Sequence, residues 1–184
     1  GLEIARRGCE LTLLDISSAM LREAKNLAQK SGIHSINFVE GSVQNLQQFS
    51  DQCFDLVLCL DAPISYAYPN HFRAIQEICR VSRERVIISV VNRLGQLPIA
   101  IELEMGWTGS LNQTRSFLEK GNWDHPEKLQ HIERRVPFLS RYIFPPLHAF
   151  LPQELIDMII EQNFQPVRIM ATGTLARLLK TKTL

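Results

Sequence analysis

The stretch FDLVLCLDAPISY, residues 54–66, joins a strongly apolar run to a loop that carries an acid, a proline and a tyrosine. An apolar run of this length between turn residues is typical of a strand buried on both faces of a parallel sheet. We therefore predict a buried strand over residues 54–60 and a loop over residues 61–70.

Strands and helices alternate on both sides of this stretch. Apolar runs predict further strands over residues 10–14, 36–39 and 86–91. Helical periodicity predicts helices over residues 1–7, 18–30, 43–49 and 72–81. The connections are too short for anything except right-handed crossovers. The pattern therefore predicts an α/β fold, a doubly wound and mostly parallel sheet with helices on both faces.

The pattern changes after Arg93. Residues 94–149 contain both tryptophans and no clean strand, and helical pieces are predicted at 97–105 and 113–120. A helix over 152–162, a strand over 166–170 and a short helical tail over 175–179 follow. We expect an α/β core over 1–93, a mainly helical cap over 94–149, and the closing helix and strand of the core over 150–184.

Composition excludes several classes of function. The 184 residues include 20 Lys and Arg against 19 Asp and Glu, a formal net charge of +1. This balance predicts no basic surface that would bind nucleic acid and no polybasic segment that would bind a membrane. No apolar run approaches the ~20 residues that span a bilayer. No signal-peptide pattern opens the chain. A small-molecule partner is therefore expected, and nothing in the sequence predicts the oligomeric state.

The four cysteines, at positions 9, 53, 59 and 79, form no C-x-x-C pair and no zinc-ligand spacing with histidine. Buried, reduced thiols are the simplest interpretation, and a catalytic or metal-binding role is the alternative. No metal site is predicted. Reduced thiols favour a cytoplasmic location.

Three predicted strand ends carry candidate ligand-binding residues, because ligands of open parallel sheets bind beyond the carboxyl ends of the strands. Asp15 could accept two hydrogen bonds from a ribose diol, or could cap the next helix. The Gly41-Ser42-Val43 segment could contact an adenine edge, or could be an ordinary turn. The loop over residues 60–66 could shape a small-molecule pocket, or could only reverse the chain.

Taken in order, the segments LEIARRGCELTLLDISSAML, NFVEGSVQNL, FDLVLCLDAPISY and RAIQEICRV resemble the core of class I S-adenosylmethionine-dependent methyltransferases. The resemblance resumes at HAFLPQELIDMIIEQNFQPVRI, which is similar to the closing helix and strand of that fold. It implies a Rossmann-like methyltransferase fold with S-adenosylmethionine as cofactor. The activity implied is direct methyl transfer to a small-molecule acceptor.

The resemblance also implies roles for residues of the cofactor site. By position, Asp15 is similar to the acid that holds the cofactor ribose, and Ile16 and Met20 to residues that pack near the adenine. Ser42 stands where the family often has an acid that contacts the adenine amine, between Gly41 and the backbone N–H of Val43. Leu60 is similar to the residue beside the methionine part of the cofactor.

Acceptor-side residues follow from the same resemblance. Candidate bases or orienting groups are Asp61, Tyr66, His148 and Tyr142, and Ser65 is expected to face the substrate. The alternative for His148 is a structural histidine among apolar residues. Tyr142 and Trp107 could line an aromatic pocket or pack in the cap. Three arginines could receive an acidic substrate group or remain solvated, namely Arg134, Arg135 and Arg141.

The family's glycine-rich cofactor loop is expected just before Gly1. The strand that precedes this loop lies mid-sheet in the family, between the strands predicted at 10–14 and 54–60. We therefore expect about 40–60 residues before Gly1, from the usual size of that unit. The usual Lys-Pro-Gly-Gly turn is replaced by the residues SRER at 82–85.

Two other classes of function stay open. A nicotinamide-dependent oxidoreductase shares the acid after the second strand, although no Tyr-x-x-x-Lys pair is found here. A non-catalytic relative could use the same sheet as a binding or scaffolding module. Binding of S-adenosylmethionine or NAD to the full-length protein would separate the three classes.

Overall fold

The computed structural model describes residues 1–124 and 145–170. Its strands are β1 (Leu11–Asp15), β2 (Ile36–Glu40), β3 (Phe54–Cys59), β4 (Ser82–Ile88), β5 (Asn122–Trp123) and β6 (Leu147–His148). Its helices are α1 (Leu2–Arg6), α2 (Ser18–Lys30), α3 (Pro63–Tyr66), α4 (His71–Val81), α5 (Arg93–Thr108), α6 (Asn112–Lys120) and α7 (Pro152–Ile160). The predicted alternation of strands and helices is present, which confirms the α/β class.

The four longer strands form two parallel pairs. Strand β1 pairs with β2, so that Asp15 lies opposite Glu40, and β3 pairs with β4, so that Cys59 lies opposite Ile88. Each pair is a strand–helix–strand unit, because helices lie between its strands in the chain. Strands β1 and β3 belong to different pairs. The strand expected between them stays a prediction.

One apolar core brings the carboxyl ends of both pairs together. Its buried centre is supplied mainly by α4, through Ile75 and Ile78, and by Phe150. Cys59 at the end of β3 belongs to this centre, and Leu14 of β1, Ile88 of β4 and Val43, just after β2, pack on it. Because ligands bind at such carboxyl ends, the core fixes where a site can form.

A second, smaller core lies in the region predicted to be a helical cap. It contains Phe117 of α6, Ala100 of α5, and Trp123 and Leu147 of the β5–β6 pair. The two predicted helices are present, as α5 and α6. The sequence shows no clean strand over 94–149, and the structure adds the two-residue strands β5 and β6, which pair antiparallel. Strands of two residues are too short to show an alternating pattern.

Strand β4 begins four residues earlier than predicted and ends at Ile88. Residues 82–85, which stand in place of the family's usual turn, belong to the strand, and its register shifts between Phe54 and Leu56. The Ser82 hydroxyl donates to the Arg85 carbonyl at 2.8 Å, which satisfies the backbone locally. Such an irregularity leaves no hydrophobic signal, so the sequence predicted a later start for this strand.

The expected burial of the 54–60 strand on both faces is also wrong for the described residues. Leu56, Leu58 and Leu60 keep large exposed fractions, and so does Ile87 of β4. Leu58 and Ile87 lie opposite each other in the parallel pair. Val57 and Cys59, on the other face, contribute to the main core.

Four smaller predictions differ from the structure. Residues 43–49 form turns instead of a helix, because Ser42 Oγ accepts from the Gln44 N–H at 3.3 Å and Asn45 Oδ1 accepts from the Gln47 N–H at 3.4 Å. Helix α3 lies inside the predicted 61–70 loop. Residues 166–170 form no strand. Cys9 and Cys53 are exposed, although Cys59 and Cys79 are buried as expected.

The helical tail predicted at 175–179 lies outside the described residues. Among the helices that are described, none combines the length and apolarity that would carry it across a membrane.

Candidate functional site

Asp15 ends β1 with one carboxylate oxygen in use. Its Oδ1 accepts from the Ser17 N–H at 2.8 Å, while Ser17 Oγ accepts from the Met20 N–H at 3.3 Å and caps α2. Ser17 therefore supplies the helix cap. Asp15 Oδ2 accepts no hydrogen bond from the described part of the chain, so it is free to receive a ligand hydroxyl.

Two large apolar side chains beside Asp15 are open to solvent. Ile16 is 75% exposed and Met20 is 62% exposed. Full burial of such a side chain would contribute roughly 1.5–3 kcal/mol of favourable free energy. A carboxylate next to uncovered apolar surface suits a ligand that combines hydroxyl groups with a flat apolar ring, as adenosine does.

The segment after β2 lies directly beside Asp15. The Gly41 N–H donates to the Asp15 carbonyl at 3.0 Å. Val43 packs against the main core. The Ser42 hydroxyl accepts from the Gln44 N–H, so its side chain takes part in a turn. The structure therefore places Asp15, Gly41 and Ser42 together at one sheet end.

The segment after β3 has an unusual backbone. Asp61 and Ala62 both adopt left-handed conformations, with φ of 71° and 59°. The Ala62 N–H donates to Ser89 Oγ at 3.2 Å, and the Ser89 N–H donates to the Cys59 carbonyl at 2.9 Å. Non-glycine residues in this conformation cluster at functional sites, where the surrounding structure holds them.

Among the predicted ligand-contacting residues around Ala62, Ser65 differs from its predicted place. Ser65, expected to face the substrate, is fully buried, and its hydroxyl accepts from the Val91 N–H at 2.9 Å. It therefore ties α3 to the segment after β4. Leu60 and Tyr66 are exposed, as residues that contact a ligand must be.

His148 lies in a partly buried polar cluster, here called the imidazole cluster, which is made of His71, Arg93, Asn122, His148 and Glu154. His148 Nε2 lies 2.8 Å from Glu154 Oε1, and its Nδ1 lies 2.6 Å from the amide oxygen of Asn122. Both neighbours are oxygens, which would require a doubly protonated ring. Burial nevertheless lowers the pKa of His148, although Glu154 opposes this. We therefore assign a neutral ring, with Nε2–H donating to Glu154 and the Asn122 amide turned to donate to Nδ1.

Arg93 anchors the imidazole cluster. Its Nη2 lies 2.5 Å from Glu154 Oε2, and its Nε donates to the Ala149 carbonyl at 3.0 Å. The side chain of Arg93 is 5% exposed and that of Glu154 is 26% exposed. Glu154 Oε2 also accepts from the Leu151 N–H at 3.2 Å, at the start of α7. One ion pair thus joins α5, α7 and β6.

His71, the first residue of α4, stacks on His148. The ring centroids lie 4.0 Å apart and the planes differ by 3°. Tyr68 stacks on the His71 side at 6.1 Å, and Phe150 contacts His71 edge-on at 5.6 Å. Burial, and then the repulsion that a protonated His148 would exert, lower the pKa of His71 to about 4. Both imidazoles are therefore neutral at pH 7.

Sequence reasoning singled out His148 but missed His71, Arg93 and Glu154. His71 and Arg93 leave no local signal because they lie far along the chain from His148, whereas Glu154 is only six residues from it. Tyr142 lies outside the described residues, as do Arg134, Arg135 and Arg141. The side chain of Trp107 is not described either.

Replacing His71 by phenylalanine is expected to make the fold less sensitive to acid. The pKa of His71 is about 4 in the folded chain against an ordinary value of 6.5. Between these values the unfolded chain binds a proton that the folded chain does not. The free energy of unfolding therefore has its full value above pH 6.5. It falls as the pH drops towards 4, because the unfolded chain takes up the proton first.

Urea titrations at neutral and acid pH measure this effect. We expect the loss of unfolding free energy on acidification to be smaller by about 1–2 kcal/mol in His71→Phe, since the ring is only partly buried. His34→Phe, which removes an exposed histidine, is the matched control. Equal acid losses in the two variants would contradict the assignment.

Comparisons with known proteins show the family to which the chain belongs. The family described as "Methyltransferase domain" matches residues 2–131. The chloroplastic magnesium protoporphyrin IX methyltransferase of Arabidopsis thaliana is 27% identical over 117 residues, which are 64% of this chain and 37% of that protein. The chain therefore spans less than half the length of this curated relative.

Solved structures share the fold. A SAM-dependent methyltransferase from Methanosarcina mazei superposes with a TM-score of 0.58 at 19% identity, over 88% of this chain and 72% of that one. PKMT2 from Rickettsia typhi gives a TM-score of 0.53 at 13% identity, over 82% of this chain and 33% of that one. At these identities the likeness shows the fold alone.

The comparisons confirm the Rossmann-like methyltransferase fold predicted from the sequence. They also confirm the family resemblance, and with it S-adenosylmethionine as the family's cofactor. Because the family match covers most of the sequence, the chain belongs to the methyltransferase domain family.

Proposed function

We propose that this chain is the catalytic domain of an S-adenosylmethionine-dependent methyltransferase that acts on a small-molecule acceptor. The observation that carries the proposal is the surface at the end of β1, where Asp15 keeps a free carboxylate oxygen beside the uncovered side chains of Ile16 and Met20. A hydrogen-bond acceptor beside apolar surface fits the ribose and adenine of the cofactor.

The residues divide into two groups around the carboxyl ends of the strands. Asp15 binds the ribose hydroxyls, Ile16 and Met20 cover the adenine, and the backbone of Gly41 and Val43 lies at its edge. Leu60 borders the methionine part. These positions follow from the family resemblance, and the exposure of Ile16, Met20 and Leu60 supports them.

When bound, S-adenosylmethionine would supply an activated methyl group for direct transfer to the acceptor, with S-adenosylhomocysteine as the by-product. The chain's own residues align the acceptor and exclude water. Asp61 and Tyr66 are the proposed orienting groups, and one of them or solvent takes the acceptor's proton.

His148, a catalytic candidate in the sequence, receives a different proposed role. Both of its ring nitrogens are engaged, by Asn122 and Glu154, and the side chain is buried. A base must have a free nitrogen at the reacting atoms. We therefore assign His148 to positioning its neighbours.

The balanced charge of the chain supports a small-molecule acceptor over nucleic acid. A cytoplasmic location stays a prediction. The family match argues against the nicotinamide-dependent oxidoreductase. A non-catalytic binding module remains as an outcome of the test below.

Asp15→Ala is expected to weaken S-adenosylmethionine binding about 5- to 150-fold, equivalent to ~1–3 kcal/mol, because buried ribose hydroxyls lose their acceptor. Calorimetry on the natural full-length protein measures this change. Asp55→Ala is the matched control, since Asp55 lies on β3 and pairs with Arg83 at the surface.

Unchanged affinity in Asp15→Ala would remove Asp15 from the site. If the natural protein binds neither S-adenosylmethionine nor NAD, the binding-module alternative is correct. Binding of NAD alone would overturn the methyltransferase proposal.

A further inference from the structure

His71 lies where a methyl acceptor would approach. It begins α4, shortly after the strained Asp61–Ala62 segment that ends β3. Helix α3 lies between them and contacts both α4 and β6, which carries His148. The imidazole pair is therefore next to the strand end at which ligands of parallel sheets bind.

The two rings of the pair use their nitrogens differently. Both nitrogens of His148 have partners. His71 forms no hydrogen bond with any residue in the described ranges, and its Nδ1 is buried. The His71 side chain is only partly buried, which leaves Nε2 at its accessible edge. A rigid, accessible ring nitrogen is thus available to a ligand.

The surroundings of His71 select a chemical class. Rings of Tyr68, His148 and Phe150 already pack around His71. The aromatic faces open to a ligand are those of the exposed Tyr66 and Phe72 side chains. These faces suit an aromatic molecule.

The charges nearby disfavour an anion. Glu154 is neutralised by Arg93, and the Tyr68 hydroxyl donates to Asp124 at 3.4 Å. An anionic acceptor would therefore approach the Asp124 carboxylate on this side. Among Glu154, Arg93, Tyr68 and Asp124 it would find no cation free to pair with it.

We propose that His71 contacts the methyl acceptor, with Nε2 hydrogen-bonded to the hydroxyl group of a neutral aromatic molecule. The imidazole cluster acts behind it: His148 holds the His71 ring by stacking, and Glu154 and Arg93 hold His148. This inference rests on the proposed methyltransferase function and deepens it by assigning the acceptor side.

Phenol and anisole are the probes, because they differ in the hydroxyl hydrogen that His71 would contact. Each is titrated into the natural full-length protein saturated with S-adenosylhomocysteine, and histidine ring ¹⁵N resonances are followed. We expect phenol to shift the Nε2 resonance of His71, with little effect from anisole. Equal shifts with both probes, or none with either, would overturn the proposal.

Variants separate a contact from a structural role. His71→Phe keeps a ring for stacking but removes the nitrogen, and should weaken phenol binding at least fivefold. His71→Gln places an amide nitrogen near Nε2 and should recover part of that loss. His34→Phe is the control and should bind phenol as the unmodified protein does.

Affinity for S-adenosylhomocysteine tests this inference separately from the proposed methyltransferase function on which it rests. We expect His71→Phe to bind S-adenosylhomocysteine as the unmodified protein does. If phenol affinity is also unchanged, the His71 assignment is wrong while the proposed function stands. If the unmodified protein does not bind S-adenosylhomocysteine, both are overturned.

Discussion

Gly121→Ala is expected to lower the free energy of unfolding by about 3 kcal/mol, one of the largest effects of any single substitution in this chain. Gly121 ends α6 with a left-handed φ of 78°. A methyl group there would lie 2.3 Å from Arg93 Nη2 and 2.5 Å from the Ala149 carbonyl oxygen. Neither can move freely, because each takes part in the hydrogen bonds around the imidazole cluster.

Gly109→Ala is the matched control for this prediction. Gly109 also follows a helix with a left-handed φ, of 66°, but a methyl group there would meet nothing within 4 Å. Its cost is therefore the conformational strain alone, about 1 kcal/mol. Thermal melting compares the two, and Gly121→Ala should melt lower by roughly 4–8 °C. Similar melting temperatures would show that the crowding at Gly121 relaxes.

Arg93→Ala is expected to destabilise the fold by about 3 kcal/mol, because it leaves the Glu154 carboxylate without its main partner in a largely buried setting. The Ala149 carbonyl loses its donor in the same change. Arg93 also lies between the main core and the smaller core of α5, α6 and β5–β6. Its loss should therefore loosen the second core as well as the start of α7.

Arg83→Ala provides the comparison for Arg93. Arg83 pairs with Asp55 at 2.9 Å, but the two side chains are 54% and 72% exposed. Exposed pairs contribute at most about 1 kcal/mol. Urea unfolding of the two variants measures the difference. A loss in Arg93→Ala no larger than that in Arg83→Ala would mean that water replaces the guanidinium.

The surroundings of Asp15 show how much local structure the sequence predicts. The end of β1, the Ser17 cap and the free carboxylate of Asp15 follow from short-range patterns, because a strand end and a helix cap involve neighbouring residues. The same applies to the order of the two strand–helix–strand units. The strained Asp61–Ala62 segment could not be predicted, since its backbone is held by Ser89 from another strand.

By itself, the sequence determined the α/β class, the family and the position of Asp15 at a strand end, because each depends on local periodicity or on an ordered set of short segments. Only the tertiary structure decided that Arg93 and Glu154 pair across 61 residues and that His71 stacks on His148. Such contacts leave no periodic trace in the chain. They form only when packing of the two apolar cores brings distant segments together and excludes water from their polar groups.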